Sequence, residues 1–391
     1  MEIEELKSLV QEEVDAHRRE LIDLSLRIHG NPETAFVEFK ACGWLVEFLE
    51  ENGFQVEKGT AGLPTAFKAV YGQGTPVIAI LAEYDALPGV GHACGHNIMG
   101  ASAVGAGVAA KRAADALGGT IVVFGTPGEE GSGGKVVMVK EGAFAGVDAA
   151  LIVHPGVRNI TLSHSLACIG LKVEFFGRSS HAAARPEEGI NALDALILSF
   201  NNINALRQHI RSTARIHGII TDGGAAPNVV PSHAAGSFIV RAADDAYLEE
   251  LRERVLRCFE AGAAATGARL EYRWADETYA AMRTNRVLAG LFGANLRLLG
   301  REVQKPDPRR GFGSTDMGNV SAVVPSIHPS VAIAPVGTLS HSPDFAAAAC
   351  SEAGHQGLLD AAKAMAMTAV DLLGDPALLS AVREEFDHAR S

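Results

Sequence analysis

The sequence predicts an α/β fold: a largely parallel sheet flanked by helices, interrupted by an inserted unit of ferredoxin-like βαββαβ order. Three observations carry this reading. Short apolar runs at 77–81, 120–124, 149–153 and 330–334 alternate with longer helical patterns, as in parallel strands joined by crossover helices. Residues 168–278 break that alternation and read strand, helix, strand, strand, helix, strand. At 391 residues the chain is long for one core, so two domains are expected.

Bulk properties exclude several classes. Hydrophobic residues make up 47% and charged residues 20%, the balance of an ordinary globular protein and not of a disordered one. A net charge of −12 argues against a nucleic-acid partner, whose phosphates need a basic face. No apolar run approaches the length of a bilayer span, so no membrane partner is expected. The opening Met1-Glu-Ile-Glu-Glu-Leu6 is acidic and helical in pattern, unlike a signal peptide. Five cysteines, at 42, 94, 168, 258 and 350, are scattered and odd in number. That is no disulfide framework, and it points to a reducing compartment, the cytoplasm.

Apolar positions at helical spacing (Ile3, Leu6, Val10, Val14, Leu21, Leu24, Ile28) predict one opening helix over 2–30, ended near Gly30-Asn31-Pro32. A second helix spans about 38–52 and stops at Asn52-Gly53. Two β-rich runs follow, 65–71 and 77–82, with Gly72-Gln73-Gly74 as a hairpin-like turn between them. Residues 97–117 form a Gly- and Ala-rich helix whose small side chains permit close approach to a sheet. Its Gly105-Ala-Gly107 is not a dinucleotide fingerprint, because it lies inside the helix and not in a strand-to-helix turn. The strand 120–124 leads into the loop Gly125-Thr-Pro-Gly-Glu-Glu-Gly-Ser-Gly-Gly-Lys135. That Gly-Lys is not a phosphate loop, since Glu129 replaces its first Gly and Val136 its Ser or Thr. The strand 149–153 runs into His154-Pro155. The inserted unit has strands at 169–176, 214–221, 234–241 and 268–274, and helices at 188–210 and 245–265. The first domain resumes with a helix near 284–299, the strand 330–334, a helix at about 353–373 and a short surface helix beyond 375.

Chemistry concentrates after the strand 77–81. Glu83, Asp85, His92, Cys94 and His96 fall within fourteen residues. Carboxylate, thiolate and imidazole together suit zinc or a similar first-row divalent metal; the bland alternative is a Gly-rich turn with two ordinary histidines and a buried cysteine. Four apolar strands run out into reactive residues: to Glu83 and Asp85, to Glu129 and Glu130, to His154, and through Pro335-Val-Gly-Thr-Leu-Ser340 to His341. Ligands bind at the carboxyl ends of strands in open α/β sheets, so these residues should converge on one rim. In the Glu129-Glu130 pair, one carboxylate can bind metal while the other takes a proton from the activated water.

On these residues the chain resembles the dinuclear metal amidohydrolases that include aminoacylases, carboxypeptidase G-type enzymes and several dipeptidases. Within them it is most similar to the branch of indole-acetyl-amino-acid hydrolases and p-aminobenzoyl-glutamate hydrolase. The motifs are Ala82-Glu-Tyr-Asp-Ala-Leu-Pro88, Ala93-Cys-Gly-His96, Pro127-Gly-Glu-Glu130, His154-Pro155, Gly177-Arg-Ser-Ser-His-Ala-Ala183, Pro227-Asn-Val-Val-Pro231, Gly313-Ser-Thr-Asp-Met-Gly-Asn-Val320 and Leu339-Ser-His341, and the likeness covers nearly the whole chain. It implies a catalytic domain in two parts, 1–167 and 279–391, and a lid and dimerisation domain over 168–278. It further implies Cys94, His96, Glu130, His154 and His341 as ligands of two divalent ions per subunit, zinc first, with manganese or cobalt as alternatives. Glu129 would be the general base and Asp85 an orienting carboxylate behind the ligands. Other branches carry His at the position of Glu83, and an aspartate bridging the metals at that of Cys94, which leaves metal contact by Glu83 open. His181 is implied to reach across a homodimer and polarise the substrate carbonyl; Asn228 and Arg241 are implied to bind the substrate carboxylate.

His92 reads as structural or as support behind the ligands, and Asp316 as a pocket lining or helix cap. His217 and His233 stay unassigned, and the remaining histidines, His328 among them, read as core or surface. The expected function is hydrolysis of the amide bond of small N-acyl or aminoacyl amino acids. The alternatives are a dipeptidase or aminopeptidase needing a free amine, or a catalytically idle metal-binding relative; the intact Glu129 argues against the last.

Overall fold

The computed structural model describes residues 2–131, 133–306 and 313–389. The chain divides into two compact units, one of Met1–His164, Met282–Gly311 and Asn319–Ser391, the other of Ser165–Ala281 and Phe312–Gly318.

The first unit opens with helices α1 (Ile3–Ala16), α2 (Arg18–His29) and α3 (Phe39–Glu51). The single helix expected over 2–30 is two helices, because His17 leaves helical geometry (φ −89°, ψ 7°). A one-residue break still leaves Leu6, Val10, Val14, Leu21, Leu24 and Ile28 in one core. There follow β1 (Gln55–Lys58), β2 (Phe67–Gln73), β3 (Val77–Ala82), α4 (His96–Leu117), β4 (Gly119–Gly125), α5 (Gly134–Lys140), β5 (Ala149–Leu151) and β6 (His154–Gly156).

The second unit runs β7 (Ala167–Phe176), α6 (Ala192–Arg207), β8 (Arg215–Asp222), β9 (His233–Ala242), α7 (Asp245–Thr266) and β10 (Arg269–Trp274). Its sheet has the order β10-β7-β9-β8, and every neighbouring pair is antiparallel. This is the ferredoxin-like arrangement the periodicity predicts. Strict alternation along β9 sends Ala234, Phe238, Val240 and Ala242 into a core shared with α6 and α7. Side chains of Asn191 and Asp244 cap the two helices by accepting N–H groups of their first turns. The outer strand β8 keeps Ile219 and Ile220 exposed.

The first unit then continues with α8 (Arg286–Leu298), α9 (Met317–Ser321), which begins in the second unit, and β11 (Ser326–Ile327), β12 (Ser330–Ala332), α10 (Pro343–Ala349), α11 (Glu352–Gly374) and α12 (Pro376–His388). Its main sheet has the order β1-β2-β4-β3-β5-β11. The neighbours from β4 to β11 are parallel, and β1 and β2 add an antiparallel edge. The hairpin expected between 65–71 and 77–82 does not form. All of β4 is buried, and it lies between β2 and β3 with a ladder on each side. The carboxyl ends of β3, β4 and β5 therefore lie side by side. The strand at Ser330 is not part of this sheet: β12 pairs with β6 in a separate parallel ladder. Among the described residues no single helix is long and apolar enough to cross a membrane.

Candidate metal centre

Just beyond β3, Glu83 and Asp85 both reach His96, while Tyr84 reaches Thr65. All three are buried, and the Tyr84 hydroxyl donates to the Thr65 carbonyl at 2.5 Å. Asp85 then joins two later segments. Its Oδ1 lies 3.0 Å from His96 Nδ1, and its Oδ2 accepts the Glu130 N–H at 2.9 Å. His96 Nδ1 is also 2.9 Å from the Asp85 carbonyl, so it carries a proton, and Nε2 is the nitrogen without a hydrogen-bond partner. His154 is held the same way, with Nδ1 donating to the Pro155 carbonyl at 2.6 Å and Nε2 lying 3.3 Å from Cys94 Sγ.

Gly95 lets Cys94 and His96 serve one site. Its φ is +83°, and a Cβ there would lie 2.6 Å from Pro155 Cγ, so only glycine fits. His341 arrives from the loop before α10. Its N–H donates to the Ala93 carbonyl at 2.9 Å, and its backbone adopts the left-handed region with φ 60°. That conformation costs a non-glycine residue about 1–3 kcal/mol and is typical of functional sites. Its Nε2 lies 3.5 Å from Glu130 Oε1.

The ligand atoms form three overlapping groups, each with all its atoms within 4.8 Å of one another: Cys94, His96 and His154; Cys94, Glu130 and His341; Glu83, His96 and Glu129. Cys94 belongs to the first two, which is where a bridging thiolate would stand. The groups fit divalent ions. His96 Nε2 and Glu130 Oε1 are buried without a hydrogen-bond partner, and thiolate, imidazole and carboxylate suit zinc-like metals. Burial pushes the Cys94 thiol up to about 12, although His96 pulls the other way. Burial also opposes the charged form of His96, but Asp85 and then Cys94 outweigh it and hold the imidazole well above its usual range. Burial, then repulsion from His96, keeps His154 below that range.

Three residues here were not singled out by sequence reasoning. Lys135, tested there only as a phosphate-loop lysine, is fully buried with Nζ 2.6 Å from Glu83 Oε1. His328, grouped there with ordinary histidines, is half-buried, with its ring 5.5 Å from that of His154, edge to face. Its position one residue past β11 was the available signal. Glu38 is fully buried at the start of α3, where its Oε1 accepts the Gly128 N–H and its Oε2 the Thr65 hydroxyl, each at 2.9 Å. It therefore braces the turn that carries Glu129 and Glu130. His92 is buried beside His29 and belongs to none of the three groups.

The other expected residues lie in the second unit. Ladder contacts between β7 and β9 continue past the strand ends, pairing Gly177 with Ser232, Ser180 with Val230 and His181 with Val229. His181 and Asn228 are therefore neighbours, and the Ala182 N–H donates to the Asn228 carbonyl at 3.1 Å. His181 Nδ1 accepts the N–H groups of Ala183 and Ala184, each at 3.2 Å. When neutral, the ring carries its proton on Nε2 and can donate it. Arg241 lies near the other end of β9, where it donates to His217 Nε2 at 3.3 Å and to the Ser314 hydroxyl at 2.7 Å. The eight steps along the strand from His233 to Arg241 span about 26 Å, and Asn228 lies beyond His233. One copy of the unit does not bring Asn228 and Arg241 to the same small carboxylate. Asp316 is buried just ahead of α9.

Imidazoles, carboxylates and a thiol gathered beyond parallel strands define a metal-dependent hydrolase. Residues 79–367 match peptidase family M20/M25/M40, and the chain belongs to that family. It is 38% identical to the Xaa-Arg dipeptidase of Mus musculus, over 98% of this chain and 93% of the relative. It is 32% identical to one of the subunits of p-aminobenzoyl-glutamate hydrolase from Escherichia coli, over 98% and 95%. Among solved structures, a dinuclear metal-binding peptidase of the M20 family from Bacillus subtilis superposes with a TM-score of 0.69 at 21% identity, covering 92% of this chain and 99% of that one.

The brace at Glu38 gives a pH prediction. Burial lifts its carboxyl from the ordinary 4.5 to about 7, against the N–H and hydroxyl donors around it. An acid raised on folding lends its full stability below pH 4.5 and loses it as the pH climbs through 7, by about 3 kcal/mol. Between pH 4.5 and 8, wild type should lose about that much stability relative to Glu38→Gln in urea denaturation. A difference that stays constant with pH would show that Glu38 does not titrate in this interval.

Proposed function

We propose that this chain hydrolyses the amide bond of small N-acyl or aminoacyl amino acids that carry a free carboxylate, in the cytoplasm, with two divalent ions per subunit. The carrying observation is that Cys94 belongs to two ligand groups at once, with Glu129 in a third group that shares His96. Cys94, His96, Glu130, His154 and His341 would hold the ions. A thiolate and imidazoles favour zinc, with manganese or cobalt as alternatives. When bound, the ions polarise the scissile carbonyl and lower the pKa of the attacking water to about 7.

The rest of the chemistry belongs to the chain. Glu129 takes the proton from the attacking water and returns it to the leaving amine. Asp85 keeps the His96 lone pair and the Glu130 backbone in place. His181 donates from Nε2 to the developing oxyanion, and Asn228 and Arg241 anchor the substrate carboxylate. The separation of Asn228 from Arg241 along β9 supports a homodimer in which one subunit supplies His181 and Asn228 and the other Arg241. The exposed outer strand β8 supports the same pairing, because an open edge is satisfied by a second copy. The free state of all five cysteines accords with a reducing cytoplasm.

A second reading is a dipeptidase that requires a free amine, favoured by the name of the mouse relative, Xaa-Arg dipeptidase. A hydrolysis screen of N-acyl amino acids against dipeptides, with zinc, manganese and cobalt each added to chelated enzyme, separates the two. Turnover of both classes supports the wider reading, and cleavage of dipeptides alone selects the second. No hydrolysis with any of the metals would refute both.

Glu129→Gln should cut turnover by about 10² or more while metal content stays near wild type, because only proton transfer is lost. Glu130→Gln should lose metal as well. Equal metal loss in the two variants would refute the separate roles.

Sharing of the site is testable by complementation. His181→Ala and Glu129→Gln should each be nearly inactive. After subunit exchange, their mixture should recover about a quarter of wild-type activity, since half the dimers are mixed and each has one intact site of two. A mixture that stays inactive despite verified exchange would show that His181 does not act across subunits.

A further inference from the structure

Glu83 belongs to a ligand group, yet it already has a cation beside it. Glu83 and Lys135 are both fully buried, with Lys135 Nζ 2.6 Å from Glu83 Oε1. The other oxygen, Glu83 Oε2, lies 3.5 Å from His96 Nε2. Two partners therefore compete for this carboxylate: a divalent ion on the His96 side and the ammonium of Lys135. An ammonium and a divalent ion repel strongly in a dry site. Lys135 sits in the first turn of α5, just after the turn that carries Glu129 and Glu130. Parting a buried lysine from a carboxylate in direct contact costs it compensating charge.

We propose that Lys135 is a positioning residue of the metal centre: its ammonium claims Glu83 in an ion pair and keeps that carboxylate out of the metal ligand set. The inference rests on the reading of Cys94, His96, Glu130, His154 and His341 as that set. On this view Glu83 and Lys135 form a neutral wall beside His96. The pair also ties the end of β3 to the start of α5, so it holds the base-bearing turn against the strand that leads to Asp85.

Cobalt(II) reads the ligand set directly through its visible absorption, and competition with a chelator gives its affinity without reference to activity. Wild type and Glu83→Gln should share one cobalt spectrum. Glu83→Gln should bind cobalt more weakly, by about tenfold, because the Lys135 charge stays near the ions with one carboxylate fewer to offset it. Lys135→Met should behave in the opposite way. Its freed carboxylate turns to the ion, so affinity rises by about tenfold and the spectrum shifts, and adding Glu83→Gln should restore the wild-type spectrum. An ion pair with a purely structural role would lower affinity in both single variants. A changed spectrum in Glu83→Gln, or weaker binding by folded Lys135→Met, would overturn the inference while leaving the metal centre intact. If Lys135→Met does not fold, the Glu83→Gln spectrum decides alone. A wild type that binds no cobalt would overturn the metal centre and this inference with it.

Discussion

The metal centre depends on what the Asp85 carboxylate does with its two oxygens. One holds the Nδ1–H of His96 at the start of α4, and the other holds the N–H of Glu130 in the turn after β4. Without it, the two segments would lose the carboxylate that bonds to both. A buried carboxylate is costly unless its lone pairs are used, and burial alone would raise its pKa. His96 and the Glu130 N–H outweigh that cost and keep Asp85 below the usual carboxylate range. Asp85 thus stays an anion, and its bond to Nδ1 fixes the orientation of the His96 ring. Glu38 plays the complementary part by holding Gly128, two residues before Glu130. The turn that carries both glutamates is gripped at two points by buried acids.

Much of this was legible in the sequence because it is local. The runs at 77–81, 120–124 and 149–153 are apolar enough to mark buried strands, and the residues after them are reactive. The periodicity of 168–278 likewise gave the βαββαβ order. Errors arose where the answer depends on distant chain. Gly72-Gln73-Gly74 looks like a hairpin turn, but β4 has two ladders to fill and takes the place between β2 and β3. Ser330 starts a strand, yet a short second ladder claims it. The break at His17 left no mark because the apolar spacing runs across it unchanged. Among site residues, Cys94 and His96 were visible because they share one motif. Lys135 was hidden because its partner lies 52 residues earlier, and next to Gly it is better known as a phosphate-loop residue. Glu38 looks like an ordinary acid opening a helix until its oxygens are seen to leave that helix.

The second unit follows a different logic. Its core is self-contained, and its candidate residues lie near opposite ends of one ladder. His181 and Asn228 sit where β7 and β9 run on into loops, and Arg241 sits near the far end of β9. Strand geometry makes that spacing rigid, since each residue adds about 3.3 Å. A small substrate cannot span it within one copy of the unit. Residues that looked like a single clamp in the sequence are thus kept apart by the ladder they belong to.

Charge balance unites the centre. The side chains of Glu83, Asp85, Cys94, Glu129 and Glu130 offer five negative charges within a small, mostly buried volume. Such a cluster is stable only if nearly as much positive charge lies within a few ångströms. On the two-ion reading the divalent cations supply four of those charges, and Lys135 supplies the fifth. On that reading the charges of these five side chains, the two ions and Lys135 balance. It also explains why a fully buried lysine is tolerated beside a metal centre, where its charge would otherwise compete with the ions. Each member of the pair lowers the cost of burying the other.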